Sequence, residues 1–169
     1  MNKEYRHLLP ADFHDDARVW VYQSSRLFNI GEALEIESML ERFVAEWKSH
    51  GHPVRGFATL FFGRFLIVMA DESTAGVSGC STDASVRLVK EIEQRFLVSM
   101  FDRQSLAFIV KGKVELLPIG QLPYALQQGF IDADTPYFDN LVDTKKGLND
   151  RWIVPLRQSW LAGRLRVDS

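Results

Sequence analysis

Cysteine is nearly absent: Cys80 is the single one in 169 residues. No intramolecular disulfide can form, so the fold must be held by its core. Long apolar runs are also lacking. The longest, from Phe57 to Ala70, is broken by Gly63-Arg64 and falls short of the roughly 20 residues a membrane-spanning helix needs. The opening Met1-Asn2-Lys3-Glu4-Tyr5-Arg6 has no apolar core of a signal peptide, so a cytoplasmic chain is expected, with no membrane partner. Nor does one sign of charge dominate. The 20 basic and 22 acidic side chains leave a net charge of -2, too little for a global field that would draw the chain onto nucleic acid or anionic lipid. Low-complexity segments and internal repeats are missing as well.

What is present is a core. With 46% hydrophobic and 12% aromatic residues, the chain can bury one sizeable interior. A single α+β domain over 1–169 is expected, with a lead-in at 1–16, a core at 17–118 and a helical and loop extension at 119–169. In the lead-in, Leu8-Leu9-Pro10 and Phe13 are expected to pack as a lid. Arg18-Val19-Trp20-Val21-Tyr22-Gln23 then reads as a strand with two unlike faces, Val19/Val21 against Trp20/Tyr22.

Asn29 with Glu32 three residues on resembles a capping box, and Ala33, Ile36, Leu40, Phe43 and Trp47 recur at helical spacing. The first helix should stop at Ser49-His50-Gly51-His52-Pro53. Val54 to Phe62 and Phe65 to Ala70 form a hairpin about Gly63-Arg64. The second run shows no polar alternation, which places it centrally, covered on both faces. Val86, Val89, Ile92 and Phe96 mark a second helix capped by Ser81, Thr82 or Asp83. Leu106 to Val110 and Val114 to Leu117 flank the turn Lys111-Gly112-Lys113. Beyond them come a short helix at Gln121 to Gln128, a loop at Asp132 to Asn140 and a helix-prone tail, Lys145 to Leu161, interrupted by Pro155.

This order is the split β-α-β-β-α-β pattern of a ferredoxin-like α+β fold, with a mostly antiparallel sheet, an extra strand and a C-terminal helical extension. It gathers His50, His52, Asp71, Glu72, Cys80, Thr82 and Lys111 at one pole. Ser24, Ser25, Arg26, Arg64, Asp102 and Arg103 share the other.

The strings Tyr5-Arg6-His7-Leu8-Leu9-Pro10, Arg18-Val19-Trp20-Val21-Tyr22-Gln23-Ser24-Ser25-Arg26, Val77-Ser78-Gly79-Cys80-Ser81-Thr82-Asp83 and Met100-Phe101-Asp102-Arg103 together resemble an uncharacterised family of Bacteroidetes-type bacterial proteins. The resemblance covers nearly the whole chain. It implies no catalytic residues, because the family has no established activity. Its members are often labelled ABC transporter ATPase, and here the residues speak against that label. Leu66-Ile67-Val68-Met69-Ala70-Asp71-Glu72 has the look of a nucleotide hydrolase strand. The phosphate loop G-x-x-x-x-G-K-[ST], whose amides and Lys hold the phosphates, is nowhere in the chain.

Two functional readings stay open. In the first, Cys80 before a helix start is a nucleophile or redox thiol, because free amides and the helix dipole lower a thiol pKa. His50 or His52 would be its base. Ser78, Gly79, Ser81, Thr82 and Lys111 would hold an anion, although turn and cap roles already account for Ser78, Ser81, Thr82 and Asp83 and are the favoured reading, since Asp83 would repel an anion there. His50-Gly51-His52 is an incomplete zinc set, so no metal or cofactor is expected. Asp71-Glu72 reads as a solvated strand end. In the second reading the polar loops are structural and the chain is a non-enzymatic interaction or scaffold domain. Trp20, Tyr22, Phe57, Phe61 and Phe108 would then form an aromatic sheet face beneath Trp152 and Trp160, or those two tryptophans would seal a homodimer. No complete catalytic constellation can be named, which favours the second reading.

Overall fold

The computed structural model describes residues 1–71 and 79–165, with the backbone alone at 79–82 and 164–165. The fold is α+β with antiparallel sheets. The chain gathers into two compact units. One consists of Glu4–Phe101 with Leu141–Asn149; the other consists of Met1–Lys3, Asp102–Asn140 and Asp150–Ser169.

In the first unit the order is β1 (Arg18–Gln23), α1 (Ile30–Glu46), β2 (Lys48–Ser49), β3 (His52–Pro53), β4 (Arg55–Phe61), β5 (Phe65–Asp71) and α2 (Gly79–Phe96). The main sheet runs β1-β5-β4, antiparallel throughout. Strand β5 is central, and all seven of its residues are buried, as a run without polar alternation requires. Leu66, Val68 and Ala70 face a core shared with Tyr22, Ile36, Leu40, Val89 and Ile92. The odd residues of β5 face the other way, because successive side chains on a strand alternate.

That second face is closed by the lead-in. Tyr5 is 1% exposed, packs against Phe61 and Phe62 and donates its hydroxyl hydrogen bond to the Leu148 carbonyl. Leu9 and Phe13 are buried with it, whereas Leu8 is exposed. The lid expected from Leu8-Leu9-Pro10 is therefore anchored by a residue the hydrophobic pattern did not single out.

Helix α1 starts as its sequence dictates. Asn29 Oδ1 accepts from the Glu32 N–H at 2.8 Å, and Glu32 Oε1 accepts from the Asn29 N–H at 3.0 Å. It ends earlier than expected. Trp47 leaves the helix at ψ 120°, and His50-Gly51, at φ 50° and 80°, form the two-residue turn of a β2–β3 hairpin. The outer edge of β4 is also guarded. Glu37 Oε1 accepts from the Leu60 N–H at 2.9 Å, and Val54 N–H donates to the Trp47 carbonyl at 3.0 Å, which removes donors that could pair with another strand.

The fourth strand expected in this sheet lies elsewhere. Leu106 to Val110 fall in β6 (Ser105–Val110), which pairs with β7 (Lys113–Pro118) and β8 (Pro136–Phe138). The outer edge of β1, where a ferredoxin-like fourth strand would add, is taken by other backbone: Val19 N–H donates to the Asp143 carbonyl at 2.9 Å, Ser25 N–H to the Ser99 carbonyl at 2.9 Å, and Arg18 bridges to Thr144.

The second unit holds the sheet β7-β6-β8-β9, with β9 at Ile153–Pro155. Its core comprises Leu106, Phe108, Leu122, Ala125, Ile131, Tyr137, Leu156 and Leu161. Short helices α3 (Leu122–Gln127) and α5 (Leu161–Leu165) belong to it, while α4 (Lys145–Arg151) carries the chain from one unit to the other. The region read as loop and helical tail thus contributes two strands. Trp152 is buried against Phe138 and donates to Asn140 Oδ1 at 3.0 Å; Trp160 donates to the Tyr137 hydroxyl at 3.2 Å. Both tryptophans are engaged inside their own unit, whereas Trp20, Tyr22, Phe57 and Phe61 of the expected aromatic face belong to the other. Burial raises the Tyr137 hydroxyl to about 12.

Candidate functional site

The pole expected around the thiol is described only in part. Helix α2 begins at Gly79, but Ser78, Glu72 and the side chains of Cys80, Ser81 and Thr82 lie outside the described residues. His50 and His52 share the β2–β3 hairpin, and both are exposed. Lys111, at φ 50° in the β6–β7 turn, belongs to the other unit. Among the described residues no three His, Cys, Asp or Glu side chains gather to hold a metal ion.

Asp71 is not a solvated strand end. Its side chain is 1% exposed, and its Oδ2 accepts from the His14 N–H at 3.1 Å and from the Arg55 guanidinium at 3.3 Å. Arg55 lies over the Phe13 ring and also pairs with Asp12. The carboxylate therefore pins the lead-in to the sheet, a role hidden in the sequence because every partner is distant along the chain or backbone.

At the other end of this sheet the polar residues do meet. Ser24 N–H donates to the Arg64 carbonyl at 2.9 Å, and the Arg64 guanidinium donates back to the Ser24 carbonyl at 3.3 Å. Arg26 forms two bonds of 2.8 Å to the Glu32 carboxylate, one of 2.6 Å to the Phe96 carbonyl and one of 3.3 Å to the Leu27 carbonyl. One planar donor fork thus joins the first turn of α1 to the last turn of α2, which only arginine can do at once. Asp102 and Arg103 belong to the other unit.

The Arg26 hydrogen bond, then the bond from the Asn29 amide, lower Glu32 to about 2. A carboxylate depressed in the fold contributes stability above its unfolded pKa and loses it as pH falls through the folded value. Stability should therefore decline between about pH 4.5 and about pH 2 by more in the wild type than in Glu32→Gln. Parallel acid titrations of the two, followed by circular dichroism, would show coincident curves if Glu32 has no such role.

Near Arg26 several large aliphatic side chains stand exposed. Ile30 and Leu34, one helical turn apart, are 80% and 67% exposed; Leu27 is 59% exposed and Leu97 87%. The same guanidinium holds the carbonyls of Leu27 and of Phe96, the residue before Leu97, so the start of α1 and the end of α2, each of which exposes aliphatic side chains, are tied together through their backbones. Leu97 sits at φ 54°, where Val98 N–H bonds back to the Glu93 carbonyl at 3.2 Å. That is the left-handed position closing a Schellman cap, normally glycine. A leucine there bears the cost of its Cβ and gains no burial in return.

A separate groove of about 410 Å³ runs between α1 and α2, lined by Met39, Phe43, Ala84 and Leu88 and by Arg42, Glu46, Arg87 and Glu91. Its two arginines and two glutamates balance, so it selects no ligand charge.

Nothing in the sequence pattern marked the exposed aliphatics, because Ile30 and Leu34 read as ordinary helical residues. The signal available was Leu97, a leucine where the helix-stop rule asks for glycine. Compared with known proteins, the chain matches no family model, no curated protein and no solved structure.

Proposed function

We propose that the chain is a cytoplasmic, non-enzymatic interaction domain of the uncharacterised family its sequence resembles. On this reading the β1-α1-β4-β5-α2 run is a ferredoxin-like frame whose fourth strand has been given to another sheet. The partner is an apolar protein surface without net charge. One observation carries the reading: Leu97, strained and 87% exposed, follows the end of α2 that Arg26 ties to the start of α1, where Leu27, Ile30 and Leu34 are exposed as well. Scattered exposed aliphatics are normal, but a cluster rimmed by polar residues marks an interaction site, and backbone strain persists where function uses it.

Photo-crosslinking in cells tests this, with p-benzoylphenylalanine placed at Leu34 or, as controls, at the exposed Glu41 and Lys90. An adduct specific to Leu34 is expected. Equal labelling at the three positions, or none, would overturn the interaction reading.

A further inference from the structure

We infer that the outer edge of β7 pairs antiparallel with the same edge of a second copy of this chain. The edge lies in the other unit from the aliphatic side chains near Arg26 and does not depend on them. Of the four edges of the two larger sheets, three are blocked or short. The outer side of β1 is taken by the Asp143 and Ser99 carbonyls, and that of β4 by Glu37 and Trp47. Strand β9 is three residues long and ends in Pro155, which has no N–H to offer. Strand β7 is six residues long and pairs with β6 alone.

The turn sets the hydrogen-bonding phase of β7. Lys111 and Gly112, both at positive φ, make a two-residue turn, so Val110 and Lys113 form the closing pair that exchanges both backbone bonds. Phe108 with Glu115 and Leu106 with Leu117 then do the same, and the Ile119 N–H bond to the Gln104 carbonyl at 2.8 Å continues that phase. The N–H and C=O groups of Val114 and Leu116 therefore point away from β6. Among the described residues no other backbone bond reaches them.

Lys113 and Glu115 flank Val114 with opposite charges, and among the described residues neither has an ion-pair partner. A lysine alone on an edge keeps other strands away, but here Glu115 answers it. With a two-fold axis through Val114, the two Val114 residues exchange both backbone bonds, and Lys113 of each copy stands opposite Glu115 of the other. Those are non-hydrogen-bonded pairs, in which side chains come closest, and opposite charges so placed attract. The neighbouring registers are worse. An axis through Glu115 sets that carboxylate against its own copy, and an axis through Leu116 puts the Val114 groups opposite Pro118, which lacks an N–H. The edge is thus complementary to itself in one register, the isologous contact of a two-fold dimer, and the pairing joins two four-stranded sheets into one.

Sedimentation equilibrium on the intact chain, from micromolar to millimolar concentration, tests the inference. The wild type should approach twice the chain mass. Val114→Pro should stay monomeric with unchanged circular dichroism, since this N–H faces away from β6 and proline is tolerated at such an edge position. Lys113→Glu and Glu115→Lys should each weaken association about tenfold, because each turns two attractive cross-strand pairs into two repulsive ones. The double variant carrying both should dimerise as the wild type does, and so should an equimolar mixture of the two single variants. A wild type that stays monomeric throughout, a dimer indifferent to Val114→Pro, or single reversals that the double variant does not rescue each overturn the inference. None of these outcomes bears on crosslinking at Leu34, so the two readings fail separately.

Discussion

Replacing Gly56 by valine should cost the first unit about 3 kcal/mol, the upper end of what overpacking a core costs, and lower its thermal midpoint by roughly 13 °C. A Cβ at Gly56 would stand 2.5 Å from Trp47 Cε3 and 2.8 Å from Cζ3, inside van der Waals contact. The indole cannot step aside cheaply. It is 3% exposed, with the Phe43 ring 4.9 Å away and the Trp20 ring at 6.2 Å. Gly56 pairs with Ala70 across the sheet, so two small residues side by side make the slot into which the indole fits.

Trp47→Leu in the same chain should recover part of the loss, since the Trp47 indole N–H has no hydrogen-bond partner among the described residues to forfeit. Urea unfolding followed by indole fluorescence measures both variants. An unchanged midpoint for Gly56→Val, or strictly additive losses in the double variant, would show that the contact does not constrain the fold.

Asp71→Ala should destabilise the same unit by about 3 kcal/mol, the lower end for removing one partner of a buried ion pair. The lower end applies because the Arg55 side chain is 39% exposed and regains water. The His14 amide, however, loses its acceptor. Asp71→Asn keeps an acceptor oxygen and should cost less. Amide hydrogen exchange locates the effect: protection of His14 should collapse in Asp71→Ala while the β5 amides lose only what global stability loses. Uniform loss across the unit would mean that Asp71 does not tie down the lead-in.

Local signals in the sequence were reliable where they closed on themselves. Asn29 and Glu32 are three residues apart, and their reciprocal bonds need nothing else. The turn at Lys111-Gly112 follows from two residues suited to positive φ, and the central place of β5 follows from its unbroken apolar run. Features whose partners are remote stayed hidden. Trp47 reads as the last apolar residue of a helix until Gly56 supplies its slot. Asp71 reads as solvated until Arg55 and the His14 amide cover it. Strands β8 and β9, three residues each, are too short to show a period, and only pairing through Tyr137 with Phe108 and Val154 makes them strands. The exposed aliphatics stayed dark for a different reason: the exposure of Leu27, Ile30 and Leu34 leaves no mark in the sequence, and only Leu97, standing where a glycine is expected, hints at it.

Neither unit is a continuous stretch of chain, and this bears on the order in which the protein matures. The Tyr5 hydroxyl needs the Leu148 carbonyl, the β1 edge needs Asp143, and the Lys145 ammonium bonds to the Phe13 carbonyl at 2.8 Å. During synthesis, the lead-in emerges before residues 143–148 and must wait for them before its polar groups are satisfied. The hairpin of β4 and β5 with its two helices can assemble early. The face of β5 beneath Tyr5 is completed only after residues 143–148 have left the ribosome, so a fragment ending at Phe101 carries an unfinished core.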